Sequence, residues 1–206
     1  MTDSTRDTSF VLDQHLHESL YSRRVLVLGD ALDQDNSTRL CMALLALSTD
    51  NPTADITVVI NSPGGSVPGM LAIRDTMRAI PNDVVTVNLG MAYSAGQFLL
   101  SAGTSGKRFS MPHGKVLLHQ GSGGIGGAAP DISIQADDIT HTRDTVLGCI
   151  AQDTGRPIDQ VFSDSLRDRW FTAEEALDYG FIDGIITSLS DVLSTPRPSF
   201  GIEVHS

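Results

Sequence analysis

Cysteine is scarce in this chain: of 206 residues only Cys41 and Cys149 carry thiols, and they form no C-x-x-C pair. No disulfide framework follows, and because both lie in apolar, helix-like segments they read as buried free thiols in a reducing compartment. Basic charge is also thin. Lys and Arg number 14 against 25 Asp and Glu, a formal net charge of -11, which opposes the counterion release that drives binding to phosphate backbones and argues against a nucleic-acid partner. No stretch approaches the roughly 20 apolar residues that span a bilayer. The polar, Ser/Thr/Asp-rich start lacks the basic residues and apolar run of a secretory signal, so a soluble cytoplasmic protein with no membrane partner is expected. No G-x-x-x-x-G-K-[ST] loop is present. His15 and His17 have no clear third ligand, so no metal is expected.

What the chain does have is alternation. Arg24–Gly29, Asp55–Asn61 and Val84–Leu89 are short continuous apolar runs, each followed by a segment of helical spacing: Leu40–Leu47, then Met70, Ile73, Met77 and Ile80, then Gln97–Leu100. Strand and helix in turn predict an α/β fold of parallel strands joined by right-handed crossovers. Lys107–Met111 and Val116–Gln120 read as two more strands. The segment Gly121–Gly127, five glycines in seven residues, excludes a stable helix there. One apolar stripe through Ile132, Ala136, Ile139, Val146 and Ile150 predicts a long helix over Ala129–Thr154 that projects from the core. Thr172-Ala173-Glu174-Glu175 is a capping box for another helix, and Phe181–Ile186 returns as a strand. The expected organisation is a leader over 1–18, flexible or processed, a domain over 19–190 with a handle at about 121–155, and a tail over 191–206.

Chemistry centres on Gly90-Met91-Ala92-Tyr93-Ser94-Ala95-Gly96, which sets one serine between strand and helix. It resembles the G-x-S-x-G nucleophile elbow with Ala92 in place of the first glycine; a plain helix N-cap is the competing reading of Ser94. A serine nucleophile needs a base and a group to orient that base. His119 ends an apolar strand as Ser94 follows one, whereas His15, His17, His113, His141 and His205 fit solvated positions. Asp168, between Arg167 and Arg169, is the candidate carboxylate, with arginines to keep it ionised; no spacing rule separates it decisively from Asp164 or Asp183. The turn Ser62-Pro63-Gly64-Gly65-Ser66 offers the Gly65 N–H as an oxyanion donor beside that of Ala95, and equally reads as a tight strand-to-helix turn.

Together, Ile60–Gly65, Gly90–Gly96, Met111-Pro112 with Leu118-His119-Gln120, and Arg167–Ala176 resemble the ClpP family, the proteolytic subunits of ATP-dependent Clp proteases, in order and spacing from about Tyr21 to Ile186. The resemblance implies a ClpP/crotonase-like fold and a serine endopeptidase acting on unfolded polypeptides, with Ser94 as nucleophile, His119 as general base and acid, Asp168 as orienting carboxylate, and Gly65 and Ala95 as oxyanion hole. It implies that substrate pairs as an added strand with Gly123-Gly124-Ile125 and lies by Gly64. It further implies seven-membered rings, homomeric or mixed with a paralogue, stacked as a tetradecamer through the helical handle, and fed by an AAA+ unfoldase that uses the ATP, so that this chain carries no cofactor. Several positions depart from the family pattern: Gly121 where proline usually follows His-Gln, Tyr93 and Ala95 around the serine, Leu166 in place of an acidic residue, and Thr57 and Val59 where aromatics line the unfoldase cleft. Two further readings remain: a weakly active structural or regulatory subunit of a mixed ring, and a crotonase-fold CoA enzyme.

Overall fold

Apolar, β-branched runs form the strands of one seven-stranded sheet, and the periodic segments between them form its helices. The computed structural model describes residues 15–121 and 129–192. In chain order these are α1 (residues 15–21), β1 (Val25–Leu28), α2 (Gln34–Asp50), β2 (Ile56–Ser62), α3 (Val67–Ala79), β3 (Val84–Tyr93), α4 (Ala95–Ser101), β4 (Arg108–Ser110) and β5 (Lys115–Leu118). There follow α5 (Ala129–Thr154), α6 (Ile158–Ser165), β6 (Arg169–Phe171), α7 (Ala173–Tyr179) and β7 (Gly184–Ile185). Residue 123, 124 and 125, expected to pair with substrate, lie outside the described residues, as do 1–14 and 193–206.

Local chemistry sets the helix ends. Asp33 and Asn36 form a capping box on α2, and Thr172 and Glu175 form the one expected on α7, which Gly180 closes in the left-handed conformation. Ser66 caps α3. Each cap contributes about 1 kcal/mol by satisfying a backbone N–H that the helix leaves unpaired. The strands carry the core: Ile56, Val58 and Ile60 of β2 pack with Leu44, Ile73, Phe98 and Leu100, all buried. Over α5 the apolar stripe divides. Leu147 and Ile150 are buried, whereas Ile132, Ile134 and Ile139 are exposed, so its first half projects as expected.

Strands β1, β2, β3, β4 and β7 pair in that order, all parallel. The structure departs from the sequence reading at several points: the helix α1 begins at residue 15, inside the expected leader, and β7 is confined to Gly184–Ile185 rather than Phe181–Ile186. β3 runs four residues further than Leu89, up to the serine; α6 is an additional helix; and β6 is an additional strand that pairs antiparallel to β5. Three residues are too few to show periodicity, which is why β6 leaves no mark on the pattern. The cysteines are free and half-buried on α2 and α5.

The length of β3 lets it fork. Its lower half, Thr86–Asn88, pairs with β4, and its upper half, Met91–Tyr93, pairs with β5. The register against β2 slips between Ile60, opposite Asn88, and Ser62, opposite Ala92, so β3 spends four residues where β2 spends two. Such a bulge bends its strand, and Asn88 at the fork donates its side-chain amide to the Lys115 carbonyl at 3.2 Å.

At the start of β4, the buried Arg108 guanidinium joins Asp183 through Nε (2.8 Å) and Nη2 (2.5 Å). Its Nη1 reaches the carbonyls of Ser101, Asp153 and Gly180, at the ends of α4, α5 and α7. One cation thus answers three helix C-termini, where the backbone carries partial negative charge. Burial works against the Asp183 charge, but the Arg108 hydrogen bonds and charge, with the N–H groups of Arg108 and Gly106, hold its carboxyl below the usual range. A depressed carboxylate contributes stability above its unfolded pKa, lost as pH falls through its folded one. Urea unfolding of the wild type is therefore expected to weaken in acid below about pH 4, with a smaller loss over that window in Asp183→Asn. Arg108→Ala is expected to cost about 3 kcal/mol at neutral pH, since it leaves a carboxylate and three carbonyls uncompensated. An unchanged urea midpoint in Arg108→Ala contradicts the role of this node.

Candidate active site

The fork places the chemistry. Tyr93 lies opposite Leu117 of β5 in the parallel ladder, and the Ser94 N–H donates to the Leu117 carbonyl at 3.0 Å. On its other side β5 pairs with β6, Leu117 opposite Trp170 and Leu118 opposite Arg169. One step beyond these pairs, the same register brings His119 to Asp168. The Nδ1 of His119 stands 3.5 Å from Oδ1 of Asp168. β5 thus has the strand that leads into Ser94 on one edge and the strand that follows Asp168 on the other.

Ser94 adopts φ 55 and ψ -114, rare for a residue with a side chain. Holding it there costs on the order of 1–3 kcal/mol. Ser94 stands at the N-cap position of α4, yet its hydroxyl makes no cap hydrogen bond, so it is an N-cap by position and not by side-chain capping. The turn is held through the backbone by the bond to Leu117 and by Phe98 N–H donating to the Ser94 carbonyl at 3.0 Å. A strained serine whose hydroxyl performs no capping is the geometry of a nucleophile elbow.

The glycine turn after β2 packs directly on this elbow. Gly64, at φ 105, has no room for a side chain: a Cβ there sits 2.7 Å from the Ser94 Cβ and 2.8 Å from the Tyr93 carbonyl. Gly65, at φ 142, lies against Leu32 in an isolated parallel bridge, where Leu32 N–H donates to the Gly64 carbonyl and Ser66 N–H to the Leu32 carbonyl. In that pattern the N–H of Gly65 itself stays out of the bridge. Ala95 opens α4, where the first N–H groups of a helix have no internal partner.

The competing acids separate. Asp183 is engaged by Arg108, and Asp164 takes the Tyr179 hydroxyl at 3.0 Å and an ion pair from Arg169. Asp168 alone of the three faces His119. This corrects one expectation, since Arg169 turns to Asp164 rather than to Asp168. His113 and His141 are exposed, and neither is paired with Asp164, Asp168 or Asp183 in an ion pair or hydrogen bond among the described residues. Tyr93 packs edge-on against Trp170, ring centroids 4.9 Å apart, across Leu117. Gly121 takes φ 78, a conformation closed to proline, whose ring holds φ near about -65°. Its difference from the family pattern therefore changes how the chain leaves β5.

A cleft of about 640 Å³ opens beside the pair, lined by His119, Gln120, Gly121, Ser165, Leu166, Arg167 and Asp168. Sequence reasoning passed over Gln120 and Ser165 as site residues; only the end of the new helix α6 reveals them. Among the described residues no group of three or more His, Cys, Asp or Glu is placed to hold a metal ion, and no helix is long and apolar enough to cross a membrane.

Comparison with known proteins bears on this constellation. The family model described as Clp protease matches residues 12–189. ATP-dependent Clp protease proteolytic subunit 1 of Frankia casuarinae is 50% identical over 182 residues, 88% of this chain and 85% of that one. Proteolytic subunit 3 of Streptomyces coelicolor is 49% identical over 180 residues, 87% and 83%. Proteolytic subunit 2 of Corynebacterium diphtheriae is 45% identical over 198 residues, 94% of this chain and 100% of that one. The close approach at Gly64 yields a direct test of the elbow. Gly64→Ala is expected to slow labelling of Ser94 by a fluorophosphonate at least about 100-fold, because a displacement of the order of 1 Å is that costly to a reacting geometry; wild-type labelling in this variant counts against the packing described.

Proposed function

The chain belongs to the Clp protease family and is a proteolytic subunit of an ATP-dependent Clp protease, a serine peptidase; on that footing we propose that Ser94, His119 and Asp168 are its catalytic triad. The observation that carries this assignment is the shared ladder of β5, which sets the uncapped Ser94 at one edge and the His119–Asp168 pair at the other. In the proposed reaction His119 takes the Ser94 proton as the hydroxyl oxygen attacks a peptide carbonyl. The Gly65 and Ala95 N–H groups receive the negative charge that develops on the carbonyl oxygen. Asp168 holds the imidazole in the orientation that accepts and then returns the proton, first to the leaving amine and later from water to the serine. The family identity removes the acyl-CoA reading.

We propose a substrate of extended, unfolded polypeptide that adds as a strand along residues 123–125, with Gly64 beside it. Backbone hydrogen bonds supply affinity without strong side-chain preference in such strand addition. ATP dependence stands in the relatives' names. This chain has no phosphate loop of the G-x-x-x-x-G-K-[ST] kind, and we assign the nucleotide to an AAA+ unfoldase partner in the cytoplasm. The proposed assembly is two stacked seven-membered rings joined by the projecting half of α5. Exposed Ile132 and Ile139, seven residues apart on one face of that half, support it, since apolar groups on a protruding helix face favour a partner surface.

The relatives carry subunit numbers 1, 2 and 3, and the His119–Asp168 separation of 3.5 Å exceeds an ordinary hydrogen bond. The numbering supports a mixed double ring in which a second proteolytic subunit takes part, and the separation leaves room for a contact in the assembly to draw the pair closer. Ser94→Ala is expected to lower hydrolysis of a fluorogenic peptide at least about 1000-fold and to abolish fluorophosphonate labelling. Retained labelling refutes the nucleophile. For the mixed ring, native mass spectrometry after co-expression with a second subunit is expected to show both chains in one particle with raised turnover; a fully active tetradecamer of this chain alone refutes it.

A further inference from the structure

His119 and Asp168 belong to a closed circuit. From His119 the chain passes to Gln120, whose backbone N–H donates to the Ser165 carbonyl at 3.0 Å. The Gln120 side-chain amide donates to Ser165 Oγ at 3.2 Å and to the Phe162 carbonyl at 3.4 Å. Three residues after Ser165 the chain reaches Asp168, which returns to His119. The cleft beside the triad is the opening of this circuit, since its lining consists of the residues that make the loop. Ser165 is buried, its hydroxyl also tied to the Phe162 carbonyl at 2.9 Å, so the anchor is firm.

A second tie closes the other side. Arg169, one residue after Asp168, forms an ion pair with Asp164, the residue before Ser165. Its guanidinium lies over the rings of Phe171 (4.9 Å) and Tyr179 (5.5 Å), and the Tyr179 hydroxyl donates to the same Asp164. Both ties end on the last turn of α6, at adjacent residues. Between them the Asp168 side chain is 62% exposed, and beyond Gln120 the chain turns at a glycine that a Cβ would find unobstructed. The β5–β6 ladder sets the register of the pair, with Leu118 opposite Arg169, and the two ties are further local restraints that bracket the His–Asp separation.

Resting on the triad assignment above, we propose that Gln120 and the Arg169–Asp164 pair are positioning residues that set the distance between His119 and Asp168, with the end of α6 as their common anchor. They touch neither substrate nor the reacting atoms and act through Asp168. Such a residue loses its effect when the group it positions is removed, whereas a residue that acts independently keeps it.

The test is a double-mutant cycle on the full chain in its assembled form, read by peptide turnover, KM and the rate of Ser94 labelling by a fluorophosphonate. Gln120→Leu and Arg169→Met are each expected to lower kcat about 10- to 100-fold with KM within about twofold. In an Asp168→Ala background each is expected to change kcat less than about twofold. Arg169→Lys, which keeps the ion pair, is expected to retain most of the activity. An equal loss in both backgrounds overturns the proposal and leaves the triad standing. An Asp168→Ala variant with wild-type kcat overturns the triad assignment, and the proposal with it. If Gln120→Leu loses its cooperative melt, the tie is structural and the proposal fails for that residue; Arg169→Met and Asp164→Asn decide it for the pair.

Discussion

The active site depends on the pairing of β5 with two different strands. β5 has four residues, yet it determines where Ser94, His119 and Asp168 lie. Its parallel edge fixes the height of the elbow through the Ser94–Leu117 bond, and its antiparallel edge aligns Asp168 with its own continuation. A slip of one residue on either edge turns every side chain to the opposite face. The slip is resisted by burial: Val116, Leu117 and Leu118 are all inside, as are Ala92 and Phe171 in the facing strands. A large buried aliphatic contributes about 1.5–3 kcal/mol, so the register that aligns the proposed triad is held by core packing rather than by the contacts of those three residues.

That distribution explains how the strained and open parts of the site coexist. The elbow costs energy at Ser94 and is held by backbone hydrogen bonds and by the close approach of Gly64, where no substituent fits. The His–Asp contact, by contrast, lies at the surface, with Asp168 62% exposed and the two groups 3.5 Å apart. An exposed charge contact at such a distance contributes under about 1 kcal/mol to folding. It therefore supplies little of the force that shapes the site. The hydrogen-bonded and stacked ties at Gln120 and Arg169 bracket the contact instead, and a partner chain at the same surface can move it at little energetic expense.

Much of this was legible in the sequence because its causes are local. Long apolar runs became β1, β2 and β3, the capping residues of α7 stood where expected, and α5 runs from Ala129 to Thr154 as its stripe and glycine boundary indicated. The elbow was visible from the small residues around Ser94. The choice among Asp164, Asp168 and Asp183 was not, because it turns on a pairing between β5 and β6 that leaves no periodic signal. The roles of Gln120 and Ser165 depend on where α6 ends against β5, a tertiary contact without sequence spacing. Arg169 shows the hazard of reading neighbours in sequence as neighbours in space: adjacent to Asp168, it pairs with Asp164.

The two edges of the sheet complete the logic. In parallel strand–helix units the helices run back against the strands, so helix C-termini gather at the edge where strands begin and N-termini at the edge where they end. At the first edge the carbonyls closing α4, α5 and α7 meet buried Arg108, and Asp183 balances the cation. At the second, the turn after β2 packs on Ser94 through Gly64 and α4 begins at Ala95, and it is here that the Gly65 and Ala95 N–H groups are proposed to receive the oxyanion. One edge is saturated and the other is left with donors to spare. A backbone donor unused in folding costs stability, and it is tolerated where an anionic oxygen is to be received. On the proposed assignment, the same sheet supports a neutralised floor at one end and an electrophilic rim at the other, where β3 ends at the serine.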